Sequence, residues 1–163
     1  MYSEVVDVLG SISDQGRAQV AADAGRAVET WFDNAYLKAT YPTASFPDAF
    51  ASFSPGAATI AAGDAAVLTN AGIGDELNGS LHAVAKEARF VVFARDNQGQ
   101  GASGDVVLEA TGRNAAAGEV TIRVTGDVYL SRSDNGWRIV GYRVLNEVTG
   151  PDVDVASSTA ATR

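Results

Sequence analysis

Apolar and polar residues alternate strictly over residues 119–130 of this chain. This is the period of a β-strand that buries one face and leaves the other wetter. The turn sequence Ser-Asp-Asn-Gly at 133–136 follows, and its residues tolerate the positive φ angles of a hairpin. The pattern resumes at Trp137, so we predict two antiparallel strands, at about 119–132 and 137–148. The face turned to the helices is expected to contain Val120, Ile122, Val124, Val128 and Leu130.

The first part of the chain has helical spacing instead. Over residues 14–39, apolar side chains recur on one helix face and charged ones lie elsewhere. Pro42 is expected to stop this helix, because the residue before a proline disfavours the helical conformation. A Ser-Pro pair at 54–55 is typical of an N-cap followed by proline in the first helical turn, so it predicts a helix over residues 54–70. Three phenylalanines at helical spacing predict a separate short helix over 47–53. Residues 5–9 are apolar but too few to assign, and either extend the long helix or form one turn.

Two further strands, at about 81–95 and 105–113, are joined by short turn-like links. Helices followed by such a meander predict an α+β fold, with a curved four-stranded antiparallel sheet packed on a long N-terminal helix and two shorter helices. We predict one domain at 14–148, an N-terminal extension at 1–13 and a disordered tail at 149–163. The tail has almost nothing to bury.

Composition narrows the classes of function. The 163 residues include no cysteine and carry a formal charge of -8. Disulfides, thiolate metal sites and a cysteine nucleophile are therefore excluded, and nucleic acid is not an expected partner because its phosphates would be repelled. No apolar run approaches the ~18 to 20 residues of a membrane span, and Met1 is not followed by a signal-peptide pattern. The sequence leaves open whether a signal or an anchor was removed from in front of Met1.

Two segments resemble a known superfamily. WFDNAYL at 31–37 and DNGWRIVGYRV at 134–144 resemble the nuclear transport factor 2-like, or cystatin-like, superfamily. The resemblance covers about residues 14–148 and implies a cone, in which a curved sheet wraps around helices. Residues 46–70 resemble, more narrowly, actinobacterial membrane-anchored ectodomains, including Mce-associated ones. This implies an extracytoplasmic, cell-envelope location, with a cytoplasmic location as the alternative.

Enzymes of the superfamily, such as ketosteroid isomerase and scytalone dehydratase, hold acids, histidines and tyrosines in a pocket between helices and sheet. An enzyme of this kind would use Asp127 or His82 as base and Tyr36 or Tyr129 as hydrogen-bond donor. His82 has no acidic partner patterned near it, however, and Asp127 lies on the more polar strand face. We therefore favour a surface role for Asp127 and Tyr129 and a filled aromatic core.

No catalytic, cofactor-binding or metal-binding set is predicted. The glycine-rich loop at 99–104 precedes a strand instead of a helix, and the aspartates lack a metal-ligand spacing. We expect a non-catalytic binding or assembly domain, with a small-molecule isomerase or dehydratase as the alternative. Its expected partner is a second copy or another protein on the polar sheet face, or else an apolar small ligand. The expected surface contains Thr121, Arg123, Asp127, Tyr129, Arg138 and Tyr142, and the alternative pocket contains Tyr36, His82, Asp127 and Tyr129.

Overall fold

Helices cover one face of a six-stranded, mostly antiparallel sheet in the part of the chain that the structure describes. The structure is a computed structural model that describes residues 1–116, 118–151 and 156–162. Its strands are β1 (Tyr2–Leu9), β2 (Leu77–Arg95), β3 (Gln98–Asn114), β4 (Glu119–Ser133), β5 (Gly136–Thr149) and β6 (Ala156–Ala161). Its α-helices are α1 (Asp14–Phe32), α2 (Pro55–Gly63) and α3 (Ala65–Leu68). The predicted α+β class, with one long N-terminal helix and shorter ones, is confirmed.

Helix α1 begins where a capping side chain satisfies its first turn. The hydroxyl of Ser13 accepts a 3.1 Å hydrogen bond from the amide of Gly16, as an N-cap serine does. The helix continues as one π-helical turn at Asp33–Leu37. Lys86 on β2 ties this helix end to the sheet, because its ammonium lies 2.8 Å from Glu29 and 3.1 Å from Asp33.

The segment before α2 is not the predicted short helix. Residues 47–52 form turns, and the chain then runs parallel to the start of β5. The amide of Ile139 donates to the carbonyl of Ser52 at 3.0 Å, and the amide of Ser54 donates to the carbonyl of Ile139 at 2.8 Å. These backbone groups pair with the sheet, so they are not free for helical bonds. Ser54 then caps α2, with Pro55 in the first turn as predicted.

The sheet order is β1-β2-β3-β4-β5-β6, so the prediction of four strands is wrong. The predicted extension contains β1, which pairs parallel to β2, and the predicted disordered tail contains β6, which pairs antiparallel to β5. Neither edge strand has enough apolar alternation to predict from sequence, and each pairs through its backbone with the neighbouring strand. The tail residues 152–155 and 163 lie outside the described residues.

The core lies between the helices and the inner face of the sheet. The predicted inward face of β4 is confirmed, since all its members are buried: Val120, Ile122, Val124, Val128 and Leu130. The rings of Trp31, Phe32 and Tyr36, each fully buried, belong to the same core. Gly104 on β3 leaves room for the ring of Phe90, because a Cβ there would lie 2.6 Å from two ring atoms.

Candidate functional site

The described helices leave the outer face of the sheet uncovered. On β4 it presents Thr121, Arg123, Asp127 and Tyr129, which alternate with the buried inner residues. Tyr129 is 43% exposed, and Phe93 on β2 is 47% exposed on the same face. We call this surface the open face. It brings together four of the six residues expected to form an interaction surface.

Tyr142 is a correction to that prediction, because it lies on the inner face and is 1% exposed. A register shift between β4 and β5 explains this: Tyr129 pairs with Gly141, whereas Leu130 pairs with Ile139, so Val140 is an extra residue. Such a bulge reverses the alternation that follows it. A regular alternation of two residues from Ile139, without the bulge, would place Tyr142 on the outer face.

Arg138 lies at the corner of the sheet, opposite Ser131. Its guanidinium donates a 2.7 Å hydrogen bond to the carbonyl of Ala51, so it helps to hold the segment that flanks β5. It lines a cleft of about 540 Å³ with Phe53 and Val140. Arg138 therefore borders the open face and is partly engaged in holding the fold.

A row of charged side chains crosses the middle of the open face. The register places Arg89 opposite Asp105, Asp105 opposite Asp127, and Asp127 opposite Arg143, from β2 to β5. Arg143 donates two hydrogen bonds to one carboxylate oxygen of Asp127, at 3.1 Å from Nε and 2.7 Å from Nη2. At the other end, Arg89 Nε lies 3.3 Å from Glu4 on β1. We call these five residues the central charged row.

Two carboxylates thus face each other directly across neighbouring strands, which destabilises a sheet when both are ionised. Partial burial raises the pKa of Asp105, and the neighbouring carboxylate of Asp127 raises it further. The guanidinium of Arg89 lowers it and does not cancel the rise. The carboxyl of Asp105 therefore takes up a proton more readily than an ordinary aspartate does as the pH falls.

A second charged row lies four residues further along each strand. Glu109 on β3 is opposite Arg123 on β4, and Arg123 is opposite Glu147 on β5. We call these three residues the outer charged row. Between the two rows lies a less polar one, which consists of Val107, Thr125 and Leu145.

Sequence reasoning named Asp127 and Arg123 but missed Asp105 and Arg143 as their neighbours. The signal was present in the link between β3 and β4. Arg113 pairs with Glu119, and counting equal steps away from that pair places residue 105 opposite residue 127. The sequence alone, however, does not fix where β3 ends and β4 begins, so it does not define the centre of that link.

The structure does not bring the residues of the alternative pocket together. Tyr36 is fully buried, and its hydroxyl donates to the carbonyl of Val67 at 3.1 Å. His82 is exposed on β2, in a cleft that Thr111 and Glu119 also line. Asp127 and Tyr129 are on the open face, on the other side of the sheet from Tyr36. The acid, the histidine and the phenols therefore share no described cleft.

Buried side chains fill the space between α1, α3 and the sheet. Trp31 packs edge-on against Phe53, with ring centroids 5.9 Å apart, and its indole nitrogen donates to the carbonyl of Leu68 at 3.0 Å. The amide of Asn146 on β5 donates to the carbonyl of Val67, at 3.1 Å. These bonds favour the predicted filled core over an apolar ligand cavity.

One acid–phenol pair was not predicted. The hydroxyl of Tyr142 donates to Asp64 at 2.8 Å, and Asp64 lines a cleft of about 480 Å³ together with Ile60 and Thr159. Burial raises the pKa of Tyr142, and the hydrogen bond to Asp64 and its negative charge raise it further. A phenol with a raised pKa is a weaker proton donor, which argues against acid catalysis at this pair.

Among the described residues, no group of three or more histidines or carboxylates is placed to bind a metal ion. None of the described helices combines the length and the apolar character needed to cross a membrane. Comparison with protein-family models, with curated proteins and with solved structures finds no match to this chain.

Proposed function

We propose that this chain is a non-catalytic binding or assembly domain that acts through its open face. The observation that supports the proposal is the uncovered outer surface of β2 to β5, with two ordered charged rows and the exposed rings of Phe93 and Tyr129. Interfaces of this kind combine apolar and aromatic contacts with charges that set the orientation of the partner.

The proposal extends to the superfamily and the location. Helices on the inner face of an antiparallel sheet suit a nuclear transport factor 2-like cone, and the resemblance of 31–37 and 134–144 supports it. The resemblance of 46–70 to actinobacterial membrane-anchored ectodomains supports a role outside the cytoplasm, at the cell envelope. The isomerase or dehydratase alternative loses its support, because its four residues are not gathered in one pocket.

Site-specific photo-cross-linking tests the surface. A photoreactive phenylalanine analogue replaces Tyr129 on the open face or, as the control, Ile60 on α2. These residues are 43% and 47% exposed, so the two probes are equally accessible. In cells that express the chain naturally, we expect a discrete cross-linked product from position 129 and none from position 60. Cross-linking at position 60 alone, or at neither position, would overturn the proposed surface.

A further inference from the structure

A cleft of about 360 Å³ lies where the start of β5 meets α1, at the corner of the sheet. We propose that this cleft binds a small organic carboxylate that carries an apolar group, with Arg138 as its charged partner. The cleft is separate from the filled core and from the two charged rows of the open face. We call it the corner cleft, and the residues of its lining that concern the ligand are Asp23, Arg26, Ser52, Trp137 and Arg138.

Arg138 is held in position by the protein and keeps free donors for a ligand. Its Nη1 donates to the carbonyl of Ala51 at 2.7 Å, which fixes the direction of the half-buried guanidinium. Among the described residues, no carboxylate forms an ion pair with Arg138. The edge formed by Nε and Nη2 is the one that binds both oxygens of a carboxylate. Arg138 is therefore oriented for such a ligand before the ligand arrives.

Ser52 supplies a second donor beside this guanidinium. It follows Ala51 directly, lines the corner cleft and is 5% exposed. Its hydroxyl is buried and has no hydrogen-bond partner among the described residues, an arrangement that destabilises a fold. Its carbonyl accepts from the amide of Ile139 at 3.0 Å, so the backbone is fixed. We expect rotation about the Cα–Cβ bond to bring the hydroxyl to a ligand oxygen held by Arg138.

The charge of the corner cleft favours an anion, although the chain as a whole carries a formal charge of -8. The lining contains two guanidiniums and one carboxylate, so its local charge is positive. The carboxylate, Asp23, is already engaged: it accepts a hydrogen bond from Gln19 at 2.7 Å and lies 3.3 Å from Arg26. It therefore repels an incoming anion less than a free carboxylate would, and the positive lining attracts one.

The neighbouring cleft of about 540 Å³ selects an organic anion over an inorganic one. It shares three lining residues with the corner cleft, Arg138 among them. Phe53, Pro55 and Val140 give it apolar walls, and Val140 is 42% exposed. A carboxylate bound to Arg138 can extend a hydrocarbon group along these walls. Apolar walls with a few placed polar groups are the usual composition of a small-molecule site.

Trp137 reports on the corner cleft directly. The chain has two tryptophans, and the other one, Trp31, is fully buried and donates its indole hydrogen to the carbonyl of Leu68. Heteronuclear NMR of the purified full chain at pH 7, with hexanoate as the probe, tests the proposal. We expect a saturable shift of the Trp137 indole resonance, with a Kd of about 1 mM or lower, and no shift for Trp31.

Two further probes separate the charge from the apolar group. Hexanamide has the same hydrocarbon chain without the charge, and it should give no saturable shift. Acetate has the charge without the chain, and it should bind about tenfold more weakly than hexanoate, because it leaves the apolar walls exposed.

Variants of Arg138 test its role. Arg138→Met removes the charge and should abolish the saturable shift. Arg138→Lys keeps a donor for the carbonyl of Ala51 but not the paired edge, and should bind hexanoate about tenfold more weakly than wild type. Arg132→Met is the matched control and should bind as wild type, since Arg132 is an exposed arginine on β4 that lines neither cleft.

Ser52→Ala distinguishes a ligand contact from a structural role. It should bind hexanoate about tenfold more weakly, yet melt no lower than wild type, because it removes a buried hydroxyl that has no partner. A Ser52→Ala chain that melts lower and binds as wild type overturns the role assigned to Ser52.

Circular dichroism verifies that each variant is folded. The proposal is overturned if hexanoate at up to about 20 mM leaves Trp137 unmoved, if hexanamide shifts it equally, or if Arg138→Met binds as wild type. None of these results bears on the proposed use of the open face, which cross-linking at position 129 tests separately.

Discussion

The hydroxyl of Tyr142 donates a 2.8 Å hydrogen bond to the carboxylate of Asp64 and so ties the middle of β5 to the end of α2. Tyr142 is 1% exposed, and its ring lies 6.1 Å from that of Phe53, between centroids. This phenol therefore serves packing and helix attachment, where the sequence had suggested an outward-facing contact residue.

Replacing Tyr142 by Phe is expected to lower the free energy of unfolding by about 1.5 to 3 kcal/mol, the usual range for a hydrogen bond to a charged group. The ring and its packing are kept, so the loss belongs to the hydroxyl. Urea denaturation at pH 7 measures it. Tyr129→Phe is the matched control, because Tyr129 is exposed, and its unfolding free energy should stay within about 0.5 kcal/mol of wild type. Equal losses of unfolding free energy in Tyr142→Phe and Tyr129→Phe would contradict a stabilising role for the Tyr142 hydroxyl.

Alkaline pH should destabilise the fold through its buried phenols. Burial raises the pKa of Tyr36 and of Tyr41 as it does that of Tyr142. The folded state therefore keeps these protons after the unfolded chain has lost them, and the free energy of unfolding should fall as the pH rises above ~10.

Ultraviolet titration of tyrosinate measures the ionisation of the tyrosines as the pH rises. The absorbance of the three buried tyrosines should rise only as the fold opens, in step with the loss of near-ultraviolet circular dichroism. Ionisation of all five tyrosines near pH 10 in a folded chain would refute the prediction.

Lys86 joins β2 to the end of α1, and its loss should separate them. Burial alone would lower the pKa of Lys86, but its bonds to Glu29 and Asp33 outweigh this and raise it. The hydrogen bond from Lys86 lowers the pKa of Glu29, against the opposing effect of burial. Lys86→Met should therefore destabilise the fold by about 1 kcal/mol at pH 7.

The acid dependence of this effect follows from the lowered pKa of Glu29. Its stabilising effect is present above the unfolded pKa of ~4.3 and is lost as the pH falls through the lower folded value. Urea titrations of wild type and Lys86→Met should therefore converge at low pH. Arg95→Met is the control, because the Arg95–Asp96 pair is more than 80% exposed on both sides, and it should change little at any pH.

Gly104→Ala should destabilise the fold by about 1 to 3 kcal/mol through overpacking, because the new Cβ would lie 2.6 Å from the ring of Phe90. Thermal unfolding measures the change. In a Phe90→Leu background the same glycine substitution should cost less, since the ring is then absent. Gly56→Ala on α2 has no atom within 4 Å of the new Cβ and should be neutral or stabilising. If Gly104→Ala lowers the stability as much in the Phe90→Leu background as in wild type, the steric explanation is contradicted.

The parts of the fold that could be predicted from sequence are those with strong local patterns. The alternation of Val120, Ile122 and Val124 gave the correct inner face of β4, and Pro55 correctly marked the start of α2. The bulge at Val140 could not be predicted, because Ile139 and Val140 are both apolar and either suits the inner face. It alone moved Tyr142 to the core.

The edge strands escaped prediction for a different reason. β1 pairs parallel to a strand about 80 residues away in the sequence, so no local turn signals it. The side chains of β6 are small and give no strong alternation, although the strand pairs antiparallel to β5. For the open face, the pairing of Asp105 with Asp127 needed the register of two strands, which single-strand periodicity does not supply.

Helix α3 has four residues, far fewer than a helix needs to be stable alone. Its carbonyls nevertheless accept hydrogen bonds from Trp31 on α1, from Tyr36 on the π-helical turn and from Asn146 on β5. If α3 melted, each of these buried donors would lose its acceptor, at about 1 to 3 kcal/mol apiece. The helices and β5 should therefore lose their structure together, and this four-residue helix couples them into one cooperative unfolding unit.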